Sequence, residues 1–505
     1  MRSLFLVSPH MLLCLGAIIV LVGGLWIRNK MFAVVSSIVT LLGAGVLLAT
    51  MVGHPAQDAF NGLIVFDSLG LFFAIFSVIV VLFGVLLSME SKEIYADRRP
   101  EYFSILLALC TGLMFMGVSN HFLMLYLSIE TVSILSFTLA GFRRERTASV
   151  EASMKYVVYG AMASALMVFG MSLVYGATGH MDLISLREFF SSTATSDLPN
   201  VLWAGVILMF AGIGYKVSAA PMHMWTPDVY EGAPTPVTAL FSVAPKAAGF
   251  ALLMRFFITG FSLPVQEGAA AVAQMGSASA ISFYTVGPVA WTKLLMISSV
   301  FTMFMGNLAA LGQFSVKRIL AYSSIAHAGY ILMGATTQSF EGLTAIIFYL
   351  VVYCFMNFGA FWVTSKVEDC FGGDGISEFR GLGSRKPIHA ACMAIFLFSL
   401  VGLPPFAGFI GKVYLFSAVL AREMYGFALI AALNSVISLF YYVKIIRAMY
   451  LDEAEVAMPE GKTSFDSRVS LAFIVLLALP NLVLGIYWEP VMKVAKNALN
   501  FFVGM

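Results

Sequence analysis

The sequence predicts an all-α integral membrane protein of about 14 transmembrane helices, in two inverted five-helix repeats with helices 7 and 12 broken. Of 505 residues, 60% are hydrophobic and 11% charged, and the mean hydropathy is +0.91. A water-soluble domain carries roughly 25% charged residues, so this chain lacks the polar surface to clothe itself in water. Apolar runs of about 20 residues, the length that crosses a hydrocarbon core of about 30 Å as helix, recur from end to end.

Taken in order, these runs fall near residues 9–27, 31–52, 67–89, 102–119, 121–142, 152–175, 200–222, 235–261, 290–314, 318–337, 342–366, 388–421, 424–450 and 468–490. The apolar stretch of the first, Met11 to Leu25, is followed by Trp26 and Arg28 instead of a small-residue cleavage site, which reads as a retained span. Pro221 interrupts the seventh and Pro404-Pro405 the twelfth. Proline lacks the helical N–H and clashes with the preceding turn, so both helices should break there.

Alternate loops differ in charge. One set holds 17 Lys and Arg, among them Arg144 and Lys386, and the other about six. The positive-inside rule then places both termini on the non-cytoplasmic side. The resulting organisation is three N-terminal helices (1–101), a first five-helix repeat (102–262), an outer loop or helix extension (263–289), a second, inverted repeat (290–450), and a cytoplasmic loop with the last helix (451–505).

Charge inside the spans is the main chemical signal. A charged side chain near the bilayer centre costs roughly 2.5–3.5 kcal/mol, so each must face water, pair or titrate. Lys155 follows Glu151 by four residues near a loop and reads as a surface salt bridge; Arg255 near its span's end reads as snorkelling. Lys216, Lys246 and Lys412 lie deeper, and Glu130 is the clearest intramembrane carboxylate. A poorly solvated lysine releases its proton more readily, and a carboxylate that approaches or withdraws would set its charge. That is a pumping element in outline. His223 could join a hydrated proton wire or be a hydrogen-bonded structural residue; His327, in a helix of small residues, favours proton transfer.

Spacing suggests the repeat. Glu130 to His327 is 197 residues, Lys216 to Lys412 is 196 and Lys246 to Lys444 is 198. This carries spans five, seven and eight onto ten, twelve and thirteen, and an odd number of spans per repeat inverts the second. The breaks do not share the offset, since Pro221 follows its lysine and Pro404-Pro405 precedes the other.

Other chemistry is not signalled. With 29 Lys and Arg against 27 Asp and Glu, no basic face marks a nucleic-acid partner. The five cysteines have no metal or iron–sulfur spacing, and no glycine-rich nucleotide motif follows a strand. No cofactor or metal site is expected in this chain. Moving a proton against 100 mV costs about 2.3 kcal/mol, so the energy must come from a partner or a second ion.

The run GYKVSAAPMHMWTPDVYEGAPTPVTALFSVAPKAAGF (residues 214–250) resembles the signature of the N subunits of proton-pumping NADH–quinone oxidoreductase, respiratory complex I. SIETVSILSFTLAGF, EASMKYVVYGAMASALMVFGMSLVYGATG, SVKRILAYSSIAHAGYILMG and GLPPFAGFIGKVYLF extend the resemblance from span four onward. The related L and M subunits differ around WTPDVYEGAPTPV, and L adds a long lateral helix that this chain is too short to carry. The resemblance implies a fourteen-helix antiporter-like subunit in which Glu130 pairs with Lys216, and Lys246 and Lys412 continue the proton path; His223, His327 and Lys444 are secondary positions read from the residues themselves. It also implies that flavin, iron–sulfur clusters and the NADH site belong to partner subunits, and that other antiporter-like membrane subunits adjoin this one in a bacterial inner membrane. The alternative is a stand-alone or Mrp-type cation/proton antiporter, against which a path of several lysines and one clear carboxylate argues, since lysines repel a second cation.

Overall fold

Among the described residues of the computed structural model, eleven helices are long and apolar enough to cross a membrane. The structure describes residues 2–503 apart from 28, 30, 194–198, 267–280, 287–289, 456–458 and 460–462. The first six spans are α1 (Ser8–Trp26), α2 (Phe32–Thr50), α3 (Ser68–Glu90), α4 (Arg99–Val118), α5 (Phe122–Ala140) and α6 (Thr147–Thr178). The seventh breaks into α7 (Val201–Val217) and the short α8 (Trp225–Gly232), and the eighth is α9 (Thr235–Met254). In the second half follow α10 (Trp291–Leu311), α11 (Val316–Thr336) and α12 (Phe340–Phe371). The twelfth span is α13 (Pro387–Val401) plus α14 (Ala407–Ala421), then α15 (Tyr425–Tyr450) and α16 (Arg468–Ile486). A further amphipathic helix, α17 (Glu489–Ala498), buries Met492, Ala495 and Ala498 and was not anticipated.

Both breaks are local events with the same grammar. α7 ends on Ser218 in the left-handed conformation, and α13 ends on Gly402, also left-handed. Helix ends leave carbonyls without intrahelical partners, and a left-handed residue just past the last turn is a common stop. At the first break the exposed backbone is re-paired: Ala220 N–H donates to Thr302 Oγ1 at 2.8 Å, and Ser298 Oγ donates to Ala220 O at 2.8 Å.

The repeat is visible in backbone pairing. Phe122 N–H donates to Met181 O at 2.9 Å and Leu183 N–H to Asn120 O at 2.9 Å; in the second half Val316 N–H donates to Asp374 O at 2.8 Å and Ile376 N–H to Phe314 O at 2.9 Å. In each half the second of the two helices between the paired segments, α6 or α12, is 32 residues long and capped by a left-handed glycine, Gly179 or Gly372. Both outrun their apolar cores, because nothing in the polar turns at their ends stops a helix before that glycine.

These pairings revise the residue correspondence. His121 and Ser315, the two N-caps, are 194 residues apart, which sets Ser324 opposite Glu130. The breaks at Ser218 and Gly402 are 184 apart. Lys216 precedes its break and Lys412 follows the other, so Glu130–His327 and Lys216–Lys412 do not share the spacing of these landmarks.

Two small ladders complete the fold. β1 (Gln57–Ala59) pairs antiparallel with β2 (Ile64–Phe66), and β3 (Ser262–Gln266) with β4 (Ile281–Thr285). The second corrects the expectation of a plain loop or helix extension over 263–289: its described ends form a hairpin, and the Ala/Gly/Ser stretch at 267–280 lies outside the described residues.

α9 is the central helix, with every residue buried, and α12 packs against it. A helix buried all round is normally apolar throughout. This one carries Thr235, Thr238, Ser242 and Lys246, which brings the chemistry to the middle of the bundle.

Candidate functional site

Lys246 Nζ donates to Ser324 Oγ at 2.7 Å and to Ser324 O at 2.8 Å, and lies 5.8 Å from the Tyr230 ring centroid. It follows Pro245, whose missing N–H leaves a gap in the helical ladder at this point. One turn along α11 from Ser324 is His327. Its Nδ1 is 2.8 Å from Tyr349 Oη and its Nε2 3.2 Å from Tyr442 Oη, and the Tyr442 hydroxyl also bonds Ser323. Both Lys246 and Lys412 are within electrostatic reach of His327.

Lys412 lies beyond the second break. Its Nζ donates to Val401 O at 2.7 Å and Ser435 Oγ at 2.8 Å, 4.7 Å from the Tyr330 ring centroid. Tyr330 in turn meets Asn307, which also contacts Asn434 and Tyr441. Neither Lys246 nor Lys412 is in an ion pair among the described residues. Their charge is held by hydroxyls, carbonyls and aromatic faces, partners that remain hydrogen-bonding when the amine is neutral.

Lys216 differs. It is 1% exposed, and Nζ has no hydrogen-bond partner among the described residues. Glu130 is within its electrostatic reach but forms no ion pair with it; the Glu130 carboxylate accepts instead from Ser164. Glu130 lines a cleft of about 580 Å³ between α5 and α6, with Tyr126, Ala161, Val168 and Phe169. A buried ammonium without a partner is costly, and the hydroxyls and carbonyls that hold Lys246 and Lys412 have no counterpart at Lys216 among the described residues.

The secondary residues are scattered. His223 lies in the link between α7 and α8, 6% exposed, with Nδ1 unpartnered among the described residues. Lys444 sits near the end of α15, donating to Gln313 O at 3.0 Å and lying 4.1 Å from the Phe314 ring centroid, so it belongs to the basic end of the bundle. No hydrogen bond joins either to the lysine axis among the described residues.

Lys155 pairs with Glu151 at 2.8 Å as its spacing predicted, and also with Asp228 at 2.7 Å. Arg255 does not snorkel. Its side chain is 0% exposed and pairs with Asp67 at 2.6 Å, while Nε donates to Gly117 O at 2.5 Å. Sequence reasoning also missed the cluster at the basic end. Glu93 accepts from the Thr235 N–H at 2.6 Å and from Arg143 at 2.8 Å; Glu368 accepts from the Thr235 hydroxyl, from Arg146 at 3.3 Å and from Lys317 at 3.5 Å. Two carboxylates thus hold the N-terminus of α9, where the helix dipole favours negative charge. Glu93 and Glu368 fall just beyond the predicted spans 67–89 and 342–366, although α12 runs on through Glu368, and that position hid their role.

Among the described residues no group of three or more His, Cys, Asp or Glu could hold a metal ion. A bundle of membrane-crossing helices with lysines buried beside two helix breaks defines an antiporter-like membrane subunit. A family profile described as the transmembrane region of NADH:quinone oxidoreductase and Mrp antiporters matches residues 119–268 and 266–438. The chain is 44% identical over 516 residues to NADH-quinone oxidoreductase subunit N 2 of Sorangium cellulosum, covering 99% of this chain and 97% of that one. It superposes on a chain of respiratory complex I from Thermus thermophilus with a TM-score of 0.77 and 27% identity, covering 97% and 99% of the two. A chain of the Mrp complex from Dietzia sp. shares the fold at a TM-score of 0.79 and 20% identity, covering 100% and 97%. The chain belongs to the NADH:quinone oxidoreductase/Mrp antiporter family and, within it, to the subunit N group of NADH–quinone oxidoreductase.

Proposed function

We propose that this chain moves protons across the membrane as a subunit without a redox centre in an NADH–quinone oxidoreductase, through Glu130, Lys216, Lys246 and Lys412, with His327 between the last two. The carrying observation is the buried axis from Lys246 through Ser324 and the His327–tyrosine cluster to Lys412, set in a subunit N relative. Lys216 receives a proton when Glu130 approaches and yields it when the carboxylate withdraws. His223 and Lys444 are secondary positions, at the first break and at the basic end. The units are 1–101, two inverted repeats at 102–262 and 290–450 separated by 263–289, and 451–505. Flavin, iron–sulfur clusters and NADH belong to partner subunits, other antiporter-like chains adjoin this one, and the basic loops face the cytoplasm of a bacterial cell with both termini outside.

The test replaces Lys216 by Ala and by Arg in the assembled complex and measures NADH-driven proton translocation per assembled complex. Ala removes the titrating site, and Arg keeps a charge that does not release its proton. Both should fall well below the parent. Parent-level pumping in Lys216→Arg would make Lys216 a structural cation. Sodium or potassium counterflow without partner subunits would favour the Mrp-type antiporter instead.

A further inference from the structure

The last span stands at the edge of the bundle, and one of its faces meets the second break. α16 turns Leu479, Val483 and Ile486 away from the protein as exposed side chains, while its other face packs against α12, α13 and α14. That inner face is fixed at both ends. Near the basic end Trp362 Nε1 of α12 donates to Ser470 Oγ at 2.9 Å. At the opposite end Trp488 Nε1, two residues past α16, donates to Tyr414 Oη of α14 at 2.8 Å. Between them Gly485 lies directly on the break: a Cβ there would overlap Pro405 O and fall 2.8 Å from the Pro405 carbonyl carbon.

The link that Gly485 touches has little of its own to hold it. Residues 402–406 join α13 to α14, and Pro404 and Pro405 supply no N–H. At the first break the link is held from outside by two hydroxyls of α10, since Thr302 Oγ1 accepts from the Ala220 N–H and Ser298 Oγ donates to Ala220 O. α10 is the helix that follows the first repeat, span nine after spans four to eight. α16 is the helix that follows the second, span fourteen after spans nine to thirteen. Each break is thus met by the helix next in the chain after its repeat, through hydroxyls in one half and through bare backbone in the other.

We propose that α16 is the brace of the second break, and that Gly485 and Trp488 are positioning residues that keep Lys412 against Val401 O. It rests on the proton-translocation reading above. Lys412 and Tyr414 are two residues apart on α14, which puts them about 200° apart around the helix. The lysine reaches Val401 O from one side, and Trp488 holds the helix from the other. Carbon and oxygen in contact sit about 3.5 Å apart, so a methyl group at Gly485 pushes the link away by more than the slack of the 2.7 Å bond from Lys412 to Val401 O.

The experiment compares Gly485→Ala, Trp488→Phe, Tyr414→Phe and Lys412→Met in the assembled complex, with Leu479→Ala on the exposed face as control. It reads NADH-driven proton translocation per assembled complex across a range of pH. Gly485→Ala should lower translocation at least several-fold and move the alkaline limb of its pH profile to lower pH, because an ammonium deprived of Val401 O gives up its proton more readily. Trp488→Phe and Tyr414→Phe should each lower it by a similar factor and the double variant no further, since all three lose the same bond. Leu479→Ala should match the parent. If Gly485→Ala does not assemble, the phenylalanine variants carry the test. A merely structural contact predicts a lower thermal midpoint with translocation per complex and its pH profile unchanged, and that result would overturn the brace. If Lys412→Met stops pumping while the brace variants pump normally, the brace is wrong and the proton-transfer reading stands. If Lys412→Met also pumps normally, that reading fails and the brace with it.

Discussion

Lys412 donates from Nζ to the carbonyl oxygen of Val401, 2.7 Å away, and Val401 is the last residue of the half-helix that stops at the break. The C-terminal carbonyls of that half-helix lack intrahelical partners and carry the negative end of its dipole. The break therefore makes the site, supplying an ammonium with a partner that carries no full charge. Lys412→Met should leave Val401 O buried without its strongest donor and cost about 1–3 kcal/mol of stability. Lys412→Arg should retain the parent's thermal midpoint and still lose proton translocation, because guanidinium keeps its proton. An arginine variant that pumps like the parent would reduce Lys412 to a cap.

Gly402 supports the same contact. Its φ of +86° suits glycine, and a Cβ there would fall 2.8 Å from Lys412 Cδ. Gly402→Ala is expected to cost about 1–3 kcal/mol and to displace the lysine, so both thermal midpoint and proton translocation should drop. Gly312, with no atom near its would-be Cβ, is the control: Gly312→Ala should stay within about 0.5 kcal/mol of the parent.

The breaks were legible because proline carries its own physical rule, and Pro221 and Pro404-Pro405 lie at the interruptions. The deep lysines were legible because nothing about packing favours them in lipid. The register between the halves was not. Seven residues separate α7 from α8 and five separate α13 from α14, so no single offset relates the repeats, and the spacing of 196–198 matches neither the paired N-caps nor the breaks. Arg255 was misread for a different reason. Its partner Asp67 is 188 residues away, and distance from a span's end looks the same in sequence whether a side chain reaches water or a buried carboxylate.

Asp67 and Arg255 lock the three N-terminal spans to the end of α9, both side chains fully buried. Removing one partner of a buried ion pair strands the other, at about 3–5 kcal/mol. Asp67→Ala should therefore sharply reduce the amount of folded protein and its thermal midpoint. Asp67→Leu combined with Arg255→Met removes both charges and should recover a good part of that loss. A single variant as stable as the parent would mean that water reaches the pair.

At the basic end, Asp466 accepts from Lys386 at 2.7 Å and from the Thr463 N–H at 2.8 Å, and Lys386 holds its carboxyl below the ordinary carboxylate range. A lowered folded-state value stabilises the fold above the unfolded carboxylate value of about 3.9, and the effect fades as pH falls through the folded value. The pair is solvent-exposed, so its effect is small. The difference in thermal midpoint between the parent and Asp466→Asn should be the same at pH 7 and pH 5 and shrink below pH 4. A difference already changing between pH 7 and pH 5 would point to another titrating group.

Glu130 lies within electrostatic reach of Lys216 without forming an ion pair with it, and under the proposed function this separates the two from a static salt bridge. The carboxylate is engaged by Ser164, while the ammonium has no hydrogen-bond partner among the described residues. Glu130→Gln removes the charge that favours protonated Lys216 while leaving an amide that still meets the serine. Proton translocation should then slow as reprotonation becomes limiting, and the thermal midpoint should barely move, because no ion pair is broken. Glu130→Asp keeps the charge and shortens the reach by one methylene, so its effect should be milder. Ser164→Ala frees the carboxylate to approach Lys216, which should hold the lysine protonated and slow proton release instead. The two defects differ in pH dependence: raising proton concentration on the uptake side should partly rescue Glu130→Gln and leave Ser164→Ala unrescued. Equal rescue of both, or a large loss of thermal stability in Glu130→Gln, would show that the pair is a structural contact and not a switch.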